Sequence, residues 1–280
     1  MIYVTYNATN FHNDGMGAQY QRMIAIISFC FYYHVNMEYV HTPITKIEHI
    51  HSKEEVQQIE EYFGFVNRFK SVNDINPDEI IENNVINNYD DLFPRLIHKS
   101  KTENKNILLK TALIFRFVEK YMYMYENAMI HLRSICSCKK GEEGIALNHY
   151  KKIGKNVAVH IRRGDVTLNT SNPDILVRFT PMEVFKNIIL KLQKENTDMN
   201  FYIFTELTVE NKHEFEIFHN IPNLEIISDN KTLDTFHHLT NADILVTCKS
   251  SFSYISAFYN PNKIYYLPFW HPPFSTWIKI

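Results

Sequence analysis

The chain has 280 residues, of which 45% are hydrophobic and 14% aromatic, so it can form one large domain or two medium ones, and an intrinsically disordered chain is excluded. Its 29 basic and 31 acidic residues give a formal net charge of -2, which argues against nucleic acid and anionic membrane surfaces as partners. The sequence shows neither a signal-peptide pattern nor an apolar run of membrane-spanning length. We therefore expect a soluble, cytoplasmic protein without membrane insertion.

The first predicted elements are a strand at residues 2–6, a loop that contains Gly15 and Gly17, and a helix that begins near Ala18. This order opens many nucleotide-binding folds, in which glycines let the backbone approach a ligand and the helix start offers free N–H groups. Gly15 and Gly17 are therefore candidate ligand-binding residues. An ordinary turn between a strand and a helix explains them equally well.

The remainder of the first half has weaker patterns. We expect a strand at 37–41, a helix at 54–62, a polar loop at 70–91 that includes a short helix after residue 78, and a long helical region at 103–135. Asp74 lies in the polar loop, where it either faces a ligand or caps a turn.

A segment rich in lysine and glycine, residues 136–155, is the best candidate for a linker. We therefore predict one domain at residues 1–145 and a second at 150–267. The aromatic and proline-rich tail, residues 268–280, is expected to pack back on the first domain.

The second half alternates regularly between strands and helices. The predicted strands are 156–161, 201–205, 224–228, 243–247 and 263–267, and helices are predicted at 181–195, 208–218, 232–241 and 252–259. This alternation requires a parallel sheet with right-handed crossovers and helices on both faces. The sequence thus predicts an α/β fold.

The most informative stretch is an apolar strand that ends abruptly in charged residues, namely Arg162, Arg163 and Asp165 around Gly164. Ligands of parallel sheets bind at the carboxyl ends of the strands, and a pair of arginine forks suits a diphosphate. These residues therefore indicate a nucleotide-linked substrate. Two alternatives remain open: a surface ion pair between Arg162 and Asp165, and an adhesion tripeptide at residues 163–165.

The other predicted strands of this sheet also end in polar residues. Glu206 and Asp229 follow two of them, and Ser250 and Ser251 precede a helix. Serines at a helix start can donate to a phosphate, or they can serve only as the helix N-cap. Asp234 could accept hydrogen bonds from a base or ribose, although a lone aspartate there is more often a cap.

The segment His160-Ile-Arg-Arg-Gly-Asp165 resembles the H-x-R-R-x-D motif of the fucosyltransferase superfamily. Residues 201–206, 227–234 and 240–251 are similar to later segments of that family and follow in the same order. The resemblance covers about residues 156–260. The loop at 14–19 lacks the asparagine of the family's G-x-G-N-Q loop.

The resemblance implies a GT-B fold, with two Rossmann-like domains facing across a cleft, and inverting sugar transfer without a metal or another cofactor. No Asp-x-Asp sequence, which would hold a divalent cation, occurs in the chain. By position, Arg162 would bind the donor phosphates, supported by Arg163 and His160, and Asp165 would orient the arginines. The remaining predicted donor-binding residues are Gly15, Gly17, Glu206, Asp229, Asp234, Ser250 and Ser251.

Inverting transfer also needs a general base on the acceptor hydroxyl, opposite the leaving group. This position argues for a residue of the first domain. His12, Asp14 and Asp74 are the candidates, and the sequence does not rank them firmly.

The whole chain also resembles the chlorovirus-encoded glycosyltransferases that build the glycan of a major capsid protein. This resemblance implies a UDP-xylose donor and, as acceptor, an oligosaccharide or glycoprotein glycan with a fucose unit. The motif itself favours GDP-fucose, which is the alternative donor. A non-catalytic protein that binds nucleotide sugars is the alternative from another class.

Overall fold

The structure, a computed structural model, describes residues 1–9, 14–83, 89–137, 145–167, 170–228 and 230–280. The chain divides into two compact units, Met1–Cys138 and Lys139–Ile280. Each unit contains one parallel sheet flanked by helices, so the predicted α/β fold is confirmed.

The first unit is built on a four-stranded parallel sheet with the order β2-β1-β4-β3. Its elements are β1 (Ile2–Tyr6), α1 (Met16–Tyr32), β2 (Met37–Tyr39), α2 (Lys53–Phe63), α3 (Phe65–Arg68), β3 (Glu79–Asn83), α4 (Tyr89–Thr102), β4 (Ile107–Thr111), α5 (Phe115–Val118) and α6 (Tyr123–Ile135). Strand β1 is central, and its Ile2 and Val4 are fully buried.

Two predictions for the first unit were wrong. The expected long helix at 103–135 contains strand β4 and two shorter helices, and the expected short helix after residue 78 is strand β3. A short apolar run such as Ile107-Leu-Leu109 fits a buried strand and a buried helix equally well, so periodicity does not decide between them. Pairing decides here, because β4 forms hydrogen bonds with both β1 and β3.

A buried polar network ties α1 and α2 to the carboxyl end of β2. The Tyr20 hydroxyl donates to the Glu60 carboxylate at 2.5 Å, and the second oxygen of Glu60 lies 2.8 Å from Nε2 of His41. The Nδ1 of His41 lies 3.0 Å from the Tyr39 hydroxyl. Hydrogen bonding offsets the cost of burying these groups. His41 also pairs through its backbone with residues 70–72, which positions the loop that carries Asp74.

The second unit is built on a six-stranded parallel sheet with the order β10-β9-β8-β5-β6-β7. Its elements are β5 (Lys155–His160), α7 (Pro173–Leu176), α8 (Met182–Glu195), β6 (Met199–Phe204), a 3-10 helix (Lys212–Phe218), β7 (Leu224–Ile227), α9 (Thr232–Asn241), β8 (Ile244–Val246), α10 (Ser251–Tyr259), β9 (Lys263–Tyr266) and β10 (Ile278–Lys279). Strand β5 lies between β6 and β8, with Val159 in register with Ile203 and Val246.

The core of the second unit explains why β5 is so apolar. Helix α8 presents Phe185, Ile189 and Leu192, which are spaced as one face of a helix and fully buried. They belong to the same core cluster as Val157 and Val159 of β5. Burying a side chain of this size contributes about 1.5–3 kcal/mol. The packing therefore holds the end of β5, from which the charged residues project, in a fixed position.

The prediction for the tail has to be corrected, because residues 268–280 belong to the second unit. Ile278–Lys279 pairs in parallel with β9 as the edge strand of the sheet. The rings of Phe274 and Trp277 pack on Tyr254 of α10, with centroid distances of 6.4 Å and 5.4 Å. The aromatic residues of the tail thus complete the core of this unit.

None of the helices within the described ranges is long and apolar enough to cross a membrane.

Candidate functional site

The charged stretch lies directly beyond the central strand of the second sheet. Strand β5 ends at His160, and the N–H of Ile161 still donates to the carbonyl of Phe204, at 3.0 Å. The chain then turns at Gly164, whose φ of +86° is in the left-handed region that favours glycine. A Cβ at Gly164 would run into the carboxylate of Glu206. The Glu206 side chain is exposed and can move, so the positive φ is the reason that this turn favours glycine.

Arg162 and Asp165 face each other across this turn. The Nε of Arg162 donates to Oδ1 of Asp165 at 3.1 Å, and Nη2 donates to Oδ2 at 2.7 Å. Of the five guanidinium N–H groups, two are used in this way, which leaves three without a partner in the part of the chain that the structure describes. The two side chains are 26% and 33% exposed, so the remaining donors are open to a ligand.

Arg163 is in a different environment, because it is 2% exposed. Its Nε donates to Glu214 at 3.0 Å, Nη1 to the carbonyl of Arg162 at 3.1 Å, and Nη2 to the carbonyl of Thr180 at 2.9 Å. The guanidinium also lies 4.5 Å from the ring centroid of Phe179. All three nitrogens are thus engaged by the protein itself. An adhesion tripeptide needs an exposed arginine, so this burial argues against the adhesion alternative.

His160 is held by the first turn of α10 and by the loop before it. Its Nδ1 lies 2.5 Å from Oγ of Ser253 and 3.4 Å from Sγ of Cys248. Its ring packs at 5.3 Å from Phe252. Burial, aided by the positive charge of Arg162, lowers the pKa of His160 to about 3, so the imidazole is neutral at physiological pH.

The start of α10 lies beside the end of β5, because α10 follows β8 in the chain and β8 pairs directly with β5. The N-cap is Ser250, whose Oγ accepts from the N–H of Phe252 at 3.2 Å, so the capping alternative describes its side chain. The Oγ of Ser251 instead lies 3.1 Å from Nε2 of His271. Lys249 precedes the cap and is partly exposed, and no partner of its ammonium group is found in the described ranges.

Of the remaining predicted residues of the second unit, the structure describes Glu206 and Asp234, which follow two other strands of the sheet. Glu206 is exposed after β6 and packs against Gly164. Asp234 lies in the first turn of α9, where its carbonyl accepts from Nδ1 of His238 at 2.8 Å. Asp229 lies outside the described residues.

The predicted residues of the first unit that the structure describes follow strands β1 and β2 of its own sheet. Gly15 is the N-cap of α1 with a φ of -69°, and no atom of the described residues beyond its chain neighbours lies within 4 Å of the position that its Cβ would take. Gly17 is buried inside α1. The carboxylate of Asp14 accepts from Nη1 of Arg22 at 2.5 Å. Asp74 ends a short 3-10 helix and is exposed, whereas His12 lies outside the described residues.

Two residues of this site, Cys248 and Ser253, were not predicted from the sequence, although they lie on either side of the predicted serine pair. The signal was the density of polar residues between Thr247 and Ser253, directly after a buried strand. The contact between Ser253 and His160 joins residues 93 positions apart, which no local pattern reveals.

Together, these groups can bind an anion. The uncommitted donors of Arg162, the ammonium group of Lys249 and the amino-terminal end of α10 all belong to neighbouring strand ends. A helix start carries a partial positive charge and unpaired N–H groups. No group of three or more His, Cys, Asp or Glu side chains suited to a metal ion occurs among the residues described.

No protein-family model matches the sequence, and no curated protein is similar to it in sequence. The structure is similar to that of S. aureus MnaA in a co-structure with UDP, with 10% sequence identity and a TM-score of 0.40, over 95% of this chain and 79% of that chain.

The structure is also similar to E. coli heptosyltransferase WaaC with ADP, at 12% identity and a TM-score of 0.45, over 96% of this chain and 88% of that chain. A third similarity is to POFUT1 in complex with GDP, at 10% identity and a TM-score of 0.45, over 93% and 94% of the two chains. Each TM-score is below 0.5, so these similarities do not assign a function to this chain.

Proposed function

We propose that the protein is a metal-independent, inverting glycosyltransferase of the GT-B type, which binds the diphosphate of a nucleotide-sugar donor at the carboxyl end of the second sheet. The observation that carries the proposal is the state of Arg162. Its guanidinium is oriented by Asp165 at two points, and its other three N–H groups, at the end of the central strand, have no partner among the residues that the structure describes. A planar fork of this kind suits phosphate oxygens.

In the proposed reaction, Arg162 has two tasks. It binds the diphosphate of the donor, and it stabilises the negative charge that develops on the diphosphate as the bond to the sugar breaks. Lys249 and the amino-terminal end of α10 supply further positive potential from the neighbouring strand end. These cationic groups take the part that a divalent cation plays in metal-dependent transferases.

Other residues of the motif are proposed to act through Arg162. Arg163 is buried and bonded to the carbonyl of Arg162, so we assign it to holding the turn instead of contacting the donor. Gly164 permits that turn. The proposed donor-contacting set retains His160, Glu206, Asp229, Asp234, Ser250 and Ser251, together with Gly15 and Gly17 of the first unit.

The general base is proposed to be one of the acidic or imidazole groups of the first unit. The two described candidates differ in their surroundings, because Asp14 already accepts a hydrogen bond from Arg22, whereas Asp74 is exposed. An unpaired carboxylate accepts the proton of an acceptor hydroxyl more readily than one that is paired with a guanidinium. We therefore favour Asp74 over Asp14, and His12 is the third candidate.

The donor that we favour is UDP-xylose, and GDP-fucose is the alternative. The proposed acceptor is a hydroxyl of a fucose unit in an oligosaccharide or glycoprotein glycan, such as a viral capsid glycan. The support for these choices is the resemblance of the sequence to enzymes of that kind, whereas the proposal of a diphosphate site rests on the contacts of Arg162.

The experiment is a transfer assay with UDP-xylose and GDP-fucose offered separately, in EDTA, with a fucose-terminated oligosaccharide as acceptor. We expect a product heavier by one sugar from one donor, with inverted anomeric configuration in its NMR spectrum. Arg162→Ala should lower kcat/KM by about 10²–10³-fold, and Arg162→Lys, which keeps the charge but not the fork, by at least about tenfold.

The matched control is Arg95→Ala, because Arg95 is an exposed arginine of α4 whose one hydrogen bond within the described ranges goes to the carbonyl of Asp91. It should leave kcat/KM unchanged. Binding of a nucleotide sugar without turnover would favour the alternative of a non-catalytic binding protein. Transfer that is unaffected by Arg162→Ala would contradict the proposed role of the motif.

A further inference from the structure

The contact between His160 and Ser253 has a consequence for the chemistry of the imidazole. Neutral histidine carries its proton on either Nδ1 or Nε2, and the hydrogen bond made by one nitrogen sets which of them is protonated. Here Nδ1 lies 2.5 Å from Oγ of Ser253 and 3.4 Å from Sγ of Cys248. The direction of the proton in the shorter contact therefore decides the tautomer.

Several observations make Ser253 the donor in that contact. Hydroxyl donors lie closer to their acceptors than ring N–H donors do, and a separation of 2.5 Å fits the hydroxyl. The Oγ of Ser253 also accepts from the backbone N–H of Cys248 at 3.3 Å, which occupies one of its lone pairs. Its own proton has two acceptors within reach, Nδ1 of His160 at 2.5 Å and Sγ of Cys248 at 3.3 Å, and the shorter contact to the better acceptor selects Nδ1. Burial raises the pKa of the Cys248 thiol, so the sulfur beside Nδ1 carries no negative charge that would favour a proton on that nitrogen.

The opposite nitrogen is free to contact a ligand. Nε2 of His160 has no hydrogen-bond partner within the described ranges. It is also not one of the fully buried side-chain atoms that lack a partner there. Since the ring lies at the end of β5, two residues before Arg162, Nε2 belongs to the same strand end as the proposed diphosphate site.

We propose that Ser253 is a positioning residue that fixes His160 in the tautomer with the proton on Nε2, so that a neutral N–H donor faces an acceptor oxygen of the nucleotide sugar. The identity of the ligand rests on the proposed function, whereas the tautomer rests only on the contacts of His160. A neutral donor in this place contacts an oxygen without adding a second full charge beside Arg162. It also does not compete with Asp165 for the guanidinium.

The first arm of the test measures the tautomer directly. In ¹⁵N-histidine-labelled protein, the ring nitrogen shifts of His160, one of 14 histidines, are assigned by their loss in His160→Gln. We expect the Nε2–H form in the unmodified protein between pH 6 and 8, and a mixture of the two tautomers in Ser253→Ala. The matched control is Ser256→Ala, which removes a buried hydroxyl one turn later that donates only to the carbonyl of Phe252.

A proton on Nδ1 in the unmodified protein would overturn the inference, and so would an unchanged tautomer in Ser253→Ala. If Ser253→Ala does not fold, the spectrum of the unmodified protein alone decides between the two tautomers.

The second arm measures the affinity for UDP and GDP by calorimetry. We expect Ser253→Ala to bind the preferred nucleotide about tenfold more weakly than Ser256→Ala, since a single neutral hydrogen bond in a ligand site is worth about this much. Equal affinities would overturn the role in ligand binding. If the unmodified protein binds neither nucleotide, the proposed function fails, and the first arm still decides whether Ser253 sets the tautomer.

Discussion

The guanidinium of Arg162 and the carboxylate of Asp165 form a two-point ion pair, with distances of 3.1 Å from Nε to Oδ1 and 2.7 Å from Nη2 to Oδ2. Two residues, Arg163 and Gly164, lie between them, in a turn whose positive φ favours glycine. Because both side chains are partly exposed, the pair contributes little to folding. Its effect is to orient the arginine and to leave its outer N–H groups available.

A double-mutant cycle tests whether the ion pair orients Arg162 without contributing much to the stability of the fold. We expect Arg162→Ala, Asp165→Ala and the double variant to give a coupling free energy of unfolding below about 1 kcal/mol, as for other exposed pairs. The measurement is urea denaturation of the four proteins. A coupling of several kcal/mol would mean that the pair mainly stabilises the fold.

Arg163 should behave in the opposite way. Its side chain is buried and bonds to Glu214, Thr180 and Arg162, so Arg163→Ala leaves a carboxylate and two carbonyls without their donor. We expect the free energy of unfolding to fall by about 3 kcal/mol. Chemical denaturation measures this change, and Arg95→Ala again serves as the exposed control. Unfolding at the same urea concentration as the unmodified protein would refute the assigned structural role.

Gly164 and Gly15 form a matched pair for testing the turn. Gly164→Ala places a Cβ in the left-handed region and against the Glu206 carboxylate, and we expect a loss of about 1–3 kcal/mol of stability. Gly15→Ala adds a Cβ in open space at a φ of -69°, and it should cost less than about 1 kcal/mol. Thermal unfolding compares the two. Equal losses would show that the turn at Gly164 is not strained by a side chain.

The lowered pKa of His160 makes part of the stability depend on pH. The folded imidazole, packed against Cys248, Ser253 and Phe252 with Arg162 nearby, stays neutral down to about pH 3, whereas the unfolded one binds a proton below about pH 6.5. Its contribution is therefore complete above pH 6.5 and is lost as the pH falls toward 3. Between pH 7 and 5 the loss from this group is at most about 2 kcal/mol.

The measurement is denaturation at pH 7 and pH 5 for the unmodified protein and for His160→Gln. On acidification the variant should lose less free energy of unfolding than the unmodified protein, by up to about 2 kcal/mol. His219→Gln, at an exposed histidine outside the site, is the control and should follow the unmodified protein. Parallel losses in all three proteins would contradict the low pKa of His160.

Local patterns predicted the elements that carry the site, because the end of β5 combines a buried β-branched run with an abrupt change to charge. They did not predict that Arg163 is buried, since its partners Thr180 and Glu214 are 17 and 51 residues away. Strand β4 was missed for a related reason. The run Ile107-Leu-Leu109 becomes a strand through its pairing with β1 and β3, which a helical pattern in the same residues conceals.

Nucleotide binding by Arg162 is the central element of the proposed function. The decisive measurement is thermal unfolding of the unmodified protein and of Arg162→Ala with UDP, GDP, UDP-xylose and GDP-fucose, in EDTA, because a ligand that binds only the folded state raises the midpoint. We predict stabilisation of the unmodified protein by the nucleotides of one base, without metal, and little or none for Arg162→Ala. An absence of stabilisation by all four compounds, or equal stabilisation of both proteins, would contradict the proposed diphosphate site.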